Sequence, residues 1–475
     1  MSDYITLHVE NFARIRKADI ELAPLTLFVG DNNSGKSYLA SLVWGLVDYS
    51  LYLDFQSHPN LTDIKIDWLQ NQNHWICECI KQGTGNYIKK IQKEDHQQIV
   101  QYINKFLDRS KKRLIDTVFN SSTDIGHIDL DIPYDEKLSL VMNIKVNQIK
   151  KEDTNASDEL TIELFIERNG KNVLFTGGIV AKTCQGNYDG ELRILIFMYL
   201  LIFLKGWTTS FFPASRTGFL LTYRSVIGES LDKRFISRQK SKEDYLLTTP
   251  QVSFLQLLAG FDKNKRKRIG KNPGNADSIV EFIEKYLIHG QITLTDTPIQ
   301  DIMYRPEGLN EYLPMYLSSS IVTEIAPFLA CLKYDNIGNR CIIEEPEMSL
   351  HPELQWKMAQ VLIRLANSIS SVLVSTHSDL IIQHINNMIK LANRDDGQEL
   401  AKEYGFINED IISPDKIRMY QFNDSQDHLT DVIPLTCNYN GFSVPTFGEA
   451  IREIRDQVWA FQIDVDEENA KRKII

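Results

Sequence analysis

The chain has 475 residues, 43% hydrophobic and 24% charged, as in an ordinary soluble globular protein. That length holds roughly two or three domains, or one domain with large insertions. A net charge of −11 excludes a protein coated uniformly on nucleic acid, so any such contact must be a local patch; six scattered cysteines are too sparse for a disulfide framework and suit a reducing cytosol.

In chain order, Met1 to Glu10 lacks a secretory signal. Ile5 to Val9 and Ala18 to Leu22 read as strands forming the sheet edge that leads into Leu25-Thr26-Leu27-Phe28-Val29. That short apolar run predicts a buried strand. Gly30-Asp31-Asn32-Asn33-Ser34-Gly35-Lys36-Ser37 comes next, and Tyr38 to Val47 is apolar and free of Pro, as a following helix should be. Every fixed position of the phosphate-loop pattern G-x-x-x-x-G-K-[ST] is filled, in the strand–loop–helix context it needs. The glycines let backbone N–H groups turn inward around a phosphate, and the helix start adds partial positive charge. Lys36 can reach the outer phosphates, and the Ser37 hydroxyl can ligate Mg²⁺.

Asp63 to Phe119 looks mainly helical, with Ile99, Val100, Ile103 and Phe106 at helical spacing. His74, Cys77 and Cys79 hint at a metal site, but no second ligand cluster completes it. A β region follows. Leu138 to Val146 is one strand, and Asn169-Gly170 joins Leu160–Glu167 to Asn172–Phe175 as a hairpin. The longest apolar run, Ile194 to Leu204, falls short of the ~20 residues a membrane helix requires, so it reads as a buried helix or strand and the protein as cytoplasmic, without a membrane partner. Phe219 to Asp296 forms a mostly helical insertion carrying the densest basic run, with Lys263, Lys265, Arg266, Lys267, Arg268 and Lys271. Such a run could bind nucleic-acid phosphates, or be a solvated loop or a protein-partner patch. Lys416–Phe422 and Leu429–Leu435 predict strands. A final helix opens on a capping box of Thr446 and Glu449, and its stripe Phe447, Ile451, Ile454, Val458 and Phe461 would pack against the body or form a dimer seam.

The downstream motifs separate the classes of phosphate-loop protein. Cys341-Ile342-Ile343-Glu344-Glu345 is an apolar strand ending in two acids, the Walker B arrangement. Glu344 would hold Mg²⁺, directly or through water, and Glu345 would orient and deprotonate the attacking water. Ser371 to Ser375 is another apolar strand, running into Thr376-His377-Ser378. At the C-terminal edge of a parallel sheet His377 can reach the γ-phosphate as a donor. Ser318-Ser319-Ser320 leads into a helix, and is either a plain N-cap or a signature turn presenting hydroxyls and N–H groups to a nucleotide held by another subunit.

The phosphate loop, the serine turn, Glu344-Glu345-Pro346-Glu347 with Leu350-His351-Pro352, Thr376-His377-Ser378 and Pro213-Ala214-Ser215-Arg216 together resemble ABC-type ATPase heads of the SMC, RecF and overcoming-lysogenization-defect kind, annotated broadly as AAA-type ATPases. The resemblance implies an α/β P-loop NTPase fold, a mixed β-sheet flanked by helices, with two mainly helical insertions. It divides the chain into head segments 1–60, 129–216 and 301–400, insertions 61–128 and 217–300, and C-terminal strands and helix 401–475. It implies ATP sandwiched between two copies within a homodimer or higher homo-oligomer, with Gly30, Asn32, Asn33, Ser34, Gly35, Lys36 and Ser37 binding in cis, Ser318, Ser319 and Ser320 acting in trans, Glu345 as general base, His377 as switch, and Mg²⁺ on Ser37 and Glu344. Ser320 stands where relatives usually carry glycine, and Glu344 replaces the commoner Asp; both departures point to slow turnover. Asp464-Val465-Asp466 fits the metal-binding Asp-x-Asp of a Toprim nuclease without the strand and helix that should precede it, and reads as a solvated acidic terminus. The chain therefore resembles stand-alone heads of antiphage systems such as the Septu and PARIS kinds, where the ATPase controls a separately encoded nuclease or toxin. A DNA-repair ATPase using the basic segments, and an ATP-bound scaffold with little turnover, are the competing expectations.

Overall fold

The computed structural model of the chain describes residues 4–47, 64–121, 123–147, 159–172, 179–181, 188–204, 208–225, 247–262, 273–297, 300–334, 337–368, 371–425, 427–445 and 452–461. The strands in chain order are β1 (Thr6–Phe12), β2 (Ile15–Glu21), β3 (Leu25–Gly30), β4 (Gly85–Lys90), β5 (Ile125–Asp131), β6 (Leu138–Asn147), β7 (Glu159–Arg168), β8 (Lys171–Asn172), β9 (Ile179–Ala181), β10 (Thr209–Phe212), β11 (Gly290–Leu294), β12 (Ile302–Pro306), β13 (Leu313–Pro314), β14 (Arg340–Glu344), β15 (Ser371–Ser375), β16 (Ile417–Asp424) and β17 (Thr430–Leu435). The helices are α1 (Lys36–Val47), α2 (Asp67–Gln82), α3 (Lys93–Phe119), α4 (Asp189–Phe203), α5 (Thr249–Ala259), α6 (Pro273–Tyr286), α7 (Ser320–Tyr334), α8 (Pro352–Ser368), α9 (Asp379–Ala392) and α10 (Gly397–Glu403).

β3 is buried along its whole length because it lies in the middle of a nine-stranded mixed sheet, in the order β10-β14-β15-β3-β16-β17-β2-β1-β5. The five strands from β10 to β16 run parallel, so the ends of β10, β14, β15 and β3 point the same way. Parallel strands covered on both faces read as unbroken apolar runs, which is why this half was easy to recognise. Alternation divides their side chains between two cores. Phe28, Ile342 and Leu373 meet one core with α1 to α4; Leu27, Ile343 and Val374 meet the other with α5 to α9. Each fully buried Leu- or Ile-sized side chain contributes about 1.5–3 kcal/mol, so the two cores fix the sheet against both helix layers. Gly45, in the middle of α1, lets α3 close in: a Cβ there would come within 2.2 Å of the Val118 side chain.

Several expectations change in detail. β1 and β2 do not adjoin β3; β16 and β17 lie between, with β17 parallel to β2 and β5 outermost. No sequence signal announced this, because the insertion of C-terminal strands is a long-range pairing. Residues 61–128 contain β4 as well as helices, and β4 is the edge of a second, antiparallel sheet with β6, β7 and β8. Residues 217–300 likewise contain β11, which opens a three-stranded sheet with β12 and β13. The run Ile194–Leu204 is helical, in and just beyond α4. The hairpin at Asn169-Gly170 forms with both residues at positive φ, 53° and 71°, as its two-residue turn demands. The basic run from Lys263 to Lys271, the capping box of Thr446 and Glu449, and Asp464-Val465-Asp466 lie outside the described residues. Residues 452–461 are helical, but Ile454, Val458 and Phe461 are exposed rather than packed on the body.

Candidate functional site

The phosphate loop leaves β3 at Gly30, whose φ of 128° and close approach to the Phe422 carbonyl oxygen leave no room for a side chain. Asn33 also takes a positive φ, 61°, and Arg14 from the β1–β2 turn donates to its carbonyl at 2.7 Å. Asp424 holds the Arg14 guanidinium in turn, so the loop is braced by the strand beside it. Ser34 is buried and donates to the Asp31 carbonyl at 2.7 Å. Asn32, Asn33 and Ser37 are exposed, Gly35 is half-buried, and Lys36 is buried at the start of α1. Lys36 Nζ donates to the carbonyls of Gly30 and Asp31, at 3.2 and 2.5 Å. Burial lowers its pKa to about 8, against the opposing pull of Glu345, Asp31 and Glu347.

β14 and β15 bring the acids and the histidine to this loop. Glu344 and Ser375 are paired in register, and Ser375 pairs with Phe28 just before the loop. Burial raises the Glu344 carboxyl above its ordinary range, while the nearby Ser37 hydroxyl and the Ala214 N–H favour its ionised form. The Ala214 N–H donates to Glu344 Oε2 at 3.2 Å, and the buried Oε1 has no hydrogen-bond partner. An orphaned carboxylate oxygen beside a hydroxyl is the donor set a hard cation takes, so the residues fit Mg²⁺. Among the described residues no group of three or more His, Cys, Asp or Glu could hold a metal. A cation here would therefore draw its remaining ligands from phosphate and water, as Mg²⁺ commonly does.

Glu345 sits at φ 44°, a left-handed conformation that costs a non-glycine residue about 1–3 kcal/mol. Its N–H donates to the Ser375 carbonyl at 2.8 Å, which ties the turn after β14 to the end of β15. His377 follows on that side. Its backbone N–H donates to Glu347 Oε1 at 2.5 Å and the Thr376 hydroxyl to Glu347 Oε2 at 2.9 Å. Burial and the Lys36 charge lower the His377 pKa against the opposing pull of Glu345 and Asp31, which favours the neutral imidazole. Burial also raises Glu347. Ser378 caps α9 by accepting from the Ile381 N–H, and its hydroxyl donates to Gln355 Oε1 at 2.6 Å.

Lys36, Ser37, Glu344, Glu345 and His377 thus gather at the ends of adjacent parallel strands. The serine turn lies elsewhere. It follows β13 through a 3₁₀ turn, Met315–Leu317, with Ser318 half-buried and Ser319 and Ser320 exposed at the start of α7. Tyr316 and Leu317 beside it are exposed at 73% and 62%.

A residue that the sequence placed in a shared segment but gave no role at the site joins these regions. Arg216 stands at the end of Pro213-Ala214-Ser215, just past β10, and is 4% exposed. It donates to the Glu344 carbonyl at 2.6 Å, the Glu345 carbonyl at 3.1 Å and the Pro213 carbonyl at 3.1 Å. Its Nε is 3.1 Å from Glu324 Oε2 on α7. Glu347 and Gln355 were also passed over as site residues. Their signal was present in the acidic run after β14, but only the fold shows that they hold the His377 turn.

The AAA ATPase domain family matches residues 5–176 and 260–382, which include Gly30 to Ser37, Glu344, Glu345 and His377. The chain belongs to that family. As an AAA ATPase domain it carries the mixed α/β P-loop ATPase fold. Solved structures similar to this AAA ATPase domain include an Smc head bound to the C-winged helix domain of ScpA, at 13% identity over 91% of this chain and 98% of that one, TM-score 0.35. The SMC head domain from Thermotoga maritima is similar at 11% identity over 92% and 100%, TM-score 0.31. An Smc head with an extended coiled coil, bound to the C-terminal domain of ScpA derived from Pyrococcus furiosus, is similar at 12% identity over 95% and 99%, TM-score 0.34. No curated protein matches the chain. Among the described residues no helix is long and apolar enough to cross a membrane.

Proposed function

We propose that this chain binds Mg·ATP in the phosphate loop, hydrolyses it slowly, and closes on a second copy of itself over the nucleotide. The observation that carries this reading is the gathering of Lys36, Ser37, Glu344, Glu345 and His377 at the ends of β3, β14 and β15. Gly30, Asn32, Asn33, Ser34 and Gly35 shape the cradle, and its N–H groups and Lys36 take the phosphates. Lys36 then exchanges carbonyl partners for phosphate oxygens, so its charge is compensated on binding. Ser37 and Glu344 hold Mg²⁺, which neutralises charge building on the phosphates. Glu345 accepts the proton of the attacking water, and neutral His377 donates to the γ-phosphate. Ser318, Ser319 and Ser320 at the α7 start meet the nucleotide of the second copy in this reading, which the exposure of Ser319 and Ser320 supports.

The closed pair then controls a separately encoded effector, a nuclease or toxin, in antiphage defence within the cytoplasm. This rests on the resemblance to stand-alone heads and on the exposed apolar residues of the helix at 452–461, which suit a protein partner. Glu345→Gln tests the core of the reading. Hydrolysis falls by roughly 10²- to 10⁴-fold, the contribution of a general base, while ATP is retained and the protein runs as a dimer with Mg·ATP. A variant that still hydrolyses ATP at the parent rate overturns the assignment. Co-purification of the operon neighbours tests the effector.

A further inference from the structure

We propose that Arg216 is a positioning residue that ties the helix behind the serine turn to the catalytic base. It does so through its ion pair with Glu324 and its hydrogen bonds to the carbonyl oxygens of Glu344 and Glu345. The proposal rests on the reading above in one respect, that Glu345 is the base and the serine turn meets a partner's nucleotide.

Three regions converge on one guanidinium. Its Nε donates to the Glu324 carbonyl at 3.2 Å, and the Glu324 carboxylate in turn accepts from the Thr217 N–H at 3.1 Å. Thr217 and Thr323 share a hydrogen bond between their hydroxyls, at 2.8 Å. The start of α7 is therefore clamped on two adjacent residues, Thr323 and Glu324, one turn past Ser319 and Ser320. On its other side the guanidinium holds the two carbonyls that flank the turn into Glu345. Arg216 and Glu324 are both 4% exposed. A buried ion pair is weak evidence for stability, because apolar residues of similar volume commonly serve as well. What an apolar pair cannot do is read carbonyls from two chain segments at once. The planar fork of arginine can, and lysine, with a single point of charge, cannot.

Glu345 is also the residue with the most to lose from loosening. Its positive φ is held by its N–H, which donates to the Ser375 carbonyl on β15, and by its carbonyl, which accepts from Arg216 and from the Met348 N–H. Packed interiors shift between discrete arrangements rather than bend continuously. A displacement of the serine turn on docking therefore reaches Glu345 through Glu324 and Arg216. One copy's engagement with its partner's nucleotide sets the base of its own site. This makes the two sites of a closed pair interdependent.

The test uses the full chain with Arg216→Lys and Glu324→Gln. Equilibrium binding of a fluorescent ATP analogue is measured beside single-turnover hydrolysis, with melting temperature as a structural readout. Arg364→Lys is the control, since Arg364 and Asp410 form a second buried pair that touches none of the site residues. The tether predicts binding within about threefold of the parent and hydrolysis slowed about tenfold or more in both variants, a loss confined to the chemical step. Arg364→Lys melts lower yet hydrolyses at the parent rate. Parent rates in both tether variants overturn the proposal. So does a rate that declines only in step with binding and melting temperature. If Arg216→Lys does not fold, Glu324→Gln alone decides by the same criteria. Full hydrolysis by Glu345→Gln removes the base assignment itself. An inactive Glu345→Gln beside fully active tether variants removes the tether and leaves that assignment standing.

Discussion

The phosphate-loop edge and the serine-turn edge are built to different standards of completeness. At the first, Lys36, Ser34 and Glu344 are buried, Glu347 is half-buried, and most of their polar atoms already have partners within the chain. At the second, Ser319, Ser320, Tyr316 and Leu317 are exposed. A buried, pre-organised edge performs its part without rearrangement, and an exposed edge of hydroxyls and apolar side chains is finished by another surface. Mutations at the first should change what a single chain does. Mutations at the second should leave the single chain intact and change what two chains do together.

The largest break is expected at Lys36. Lys36→Met removes the charge that meets the phosphates, and ATP affinity falls by roughly ten- to a hundredfold, the worth of a hydrogen bond to a charged group, as calorimetry would read it. The same lysine sets a pH dependence. Its pKa of about 8 in the folded chain means that the ammonium form, the one that binds, declines above that pH. Bound phosphates raise that pKa, so affinity should be flat below pH 7 and fall up to about tenfold per unit above 8. An affinity unchanged to pH 9.5 would contradict the placement of Lys36. Ser319→Ala sharpens the other side. Steady-state hydrolysis should drop severalfold, by about 0.5–1.5 kcal/mol for one lost hydrogen bond, with no change in ATP binding to the isolated chain. Val458→Ser, on the helix at 452–461, should shift thermal stability by less than about 0.5 kcal/mol, since that side chain is exposed, while weakening capture of a protein partner.

The sequence disclosed the buried edge far better than the rest. Glycines at fixed offsets, an apolar strand before them and two acids after another strand are local patterns, each with a steric or electrostatic cause. Leu25–Val29 and Cys341–Ile343 needed no tertiary information to be recognised as strands buried on both faces. The order of strands did. β16 and β17 slot between β3 and β2 from the far end of the chain, a pairing that no window of sequence contains. β4 escaped because an edge strand such as Gly85–Lys90 is exposed on alternate residues and short of apolar side chains. Arg216 stood in a segment shared with the resembled heads, but its role escaped for another reason. Its partners, Glu324, Glu344 and Glu345, lie far along the chain, and a single arginine carries no periodicity. The C-terminal stripe was legible as a stripe, but amphipathicity says only that a face seeks cover, not where the cover comes from.

The central claim is that each working site takes its phosphate loop from one copy and its serine turn from another. Mixing two disabled chains tests it most directly. Lys36→Met lacks a working phosphate loop, and Ser319→Arg a working serine turn. Each alone should be inactive, and an equal mixture should recover hydrolysis to at most about a quarter of the parent rate, because half the pairs are mixed and one of their two sites is intact, and to less than that where Arg216 couples the intact site to its disabled neighbour. No recovery from a mixture whose partners are shown to pair, or full hydrolysis by Ser319→Arg alone, would contradict the account.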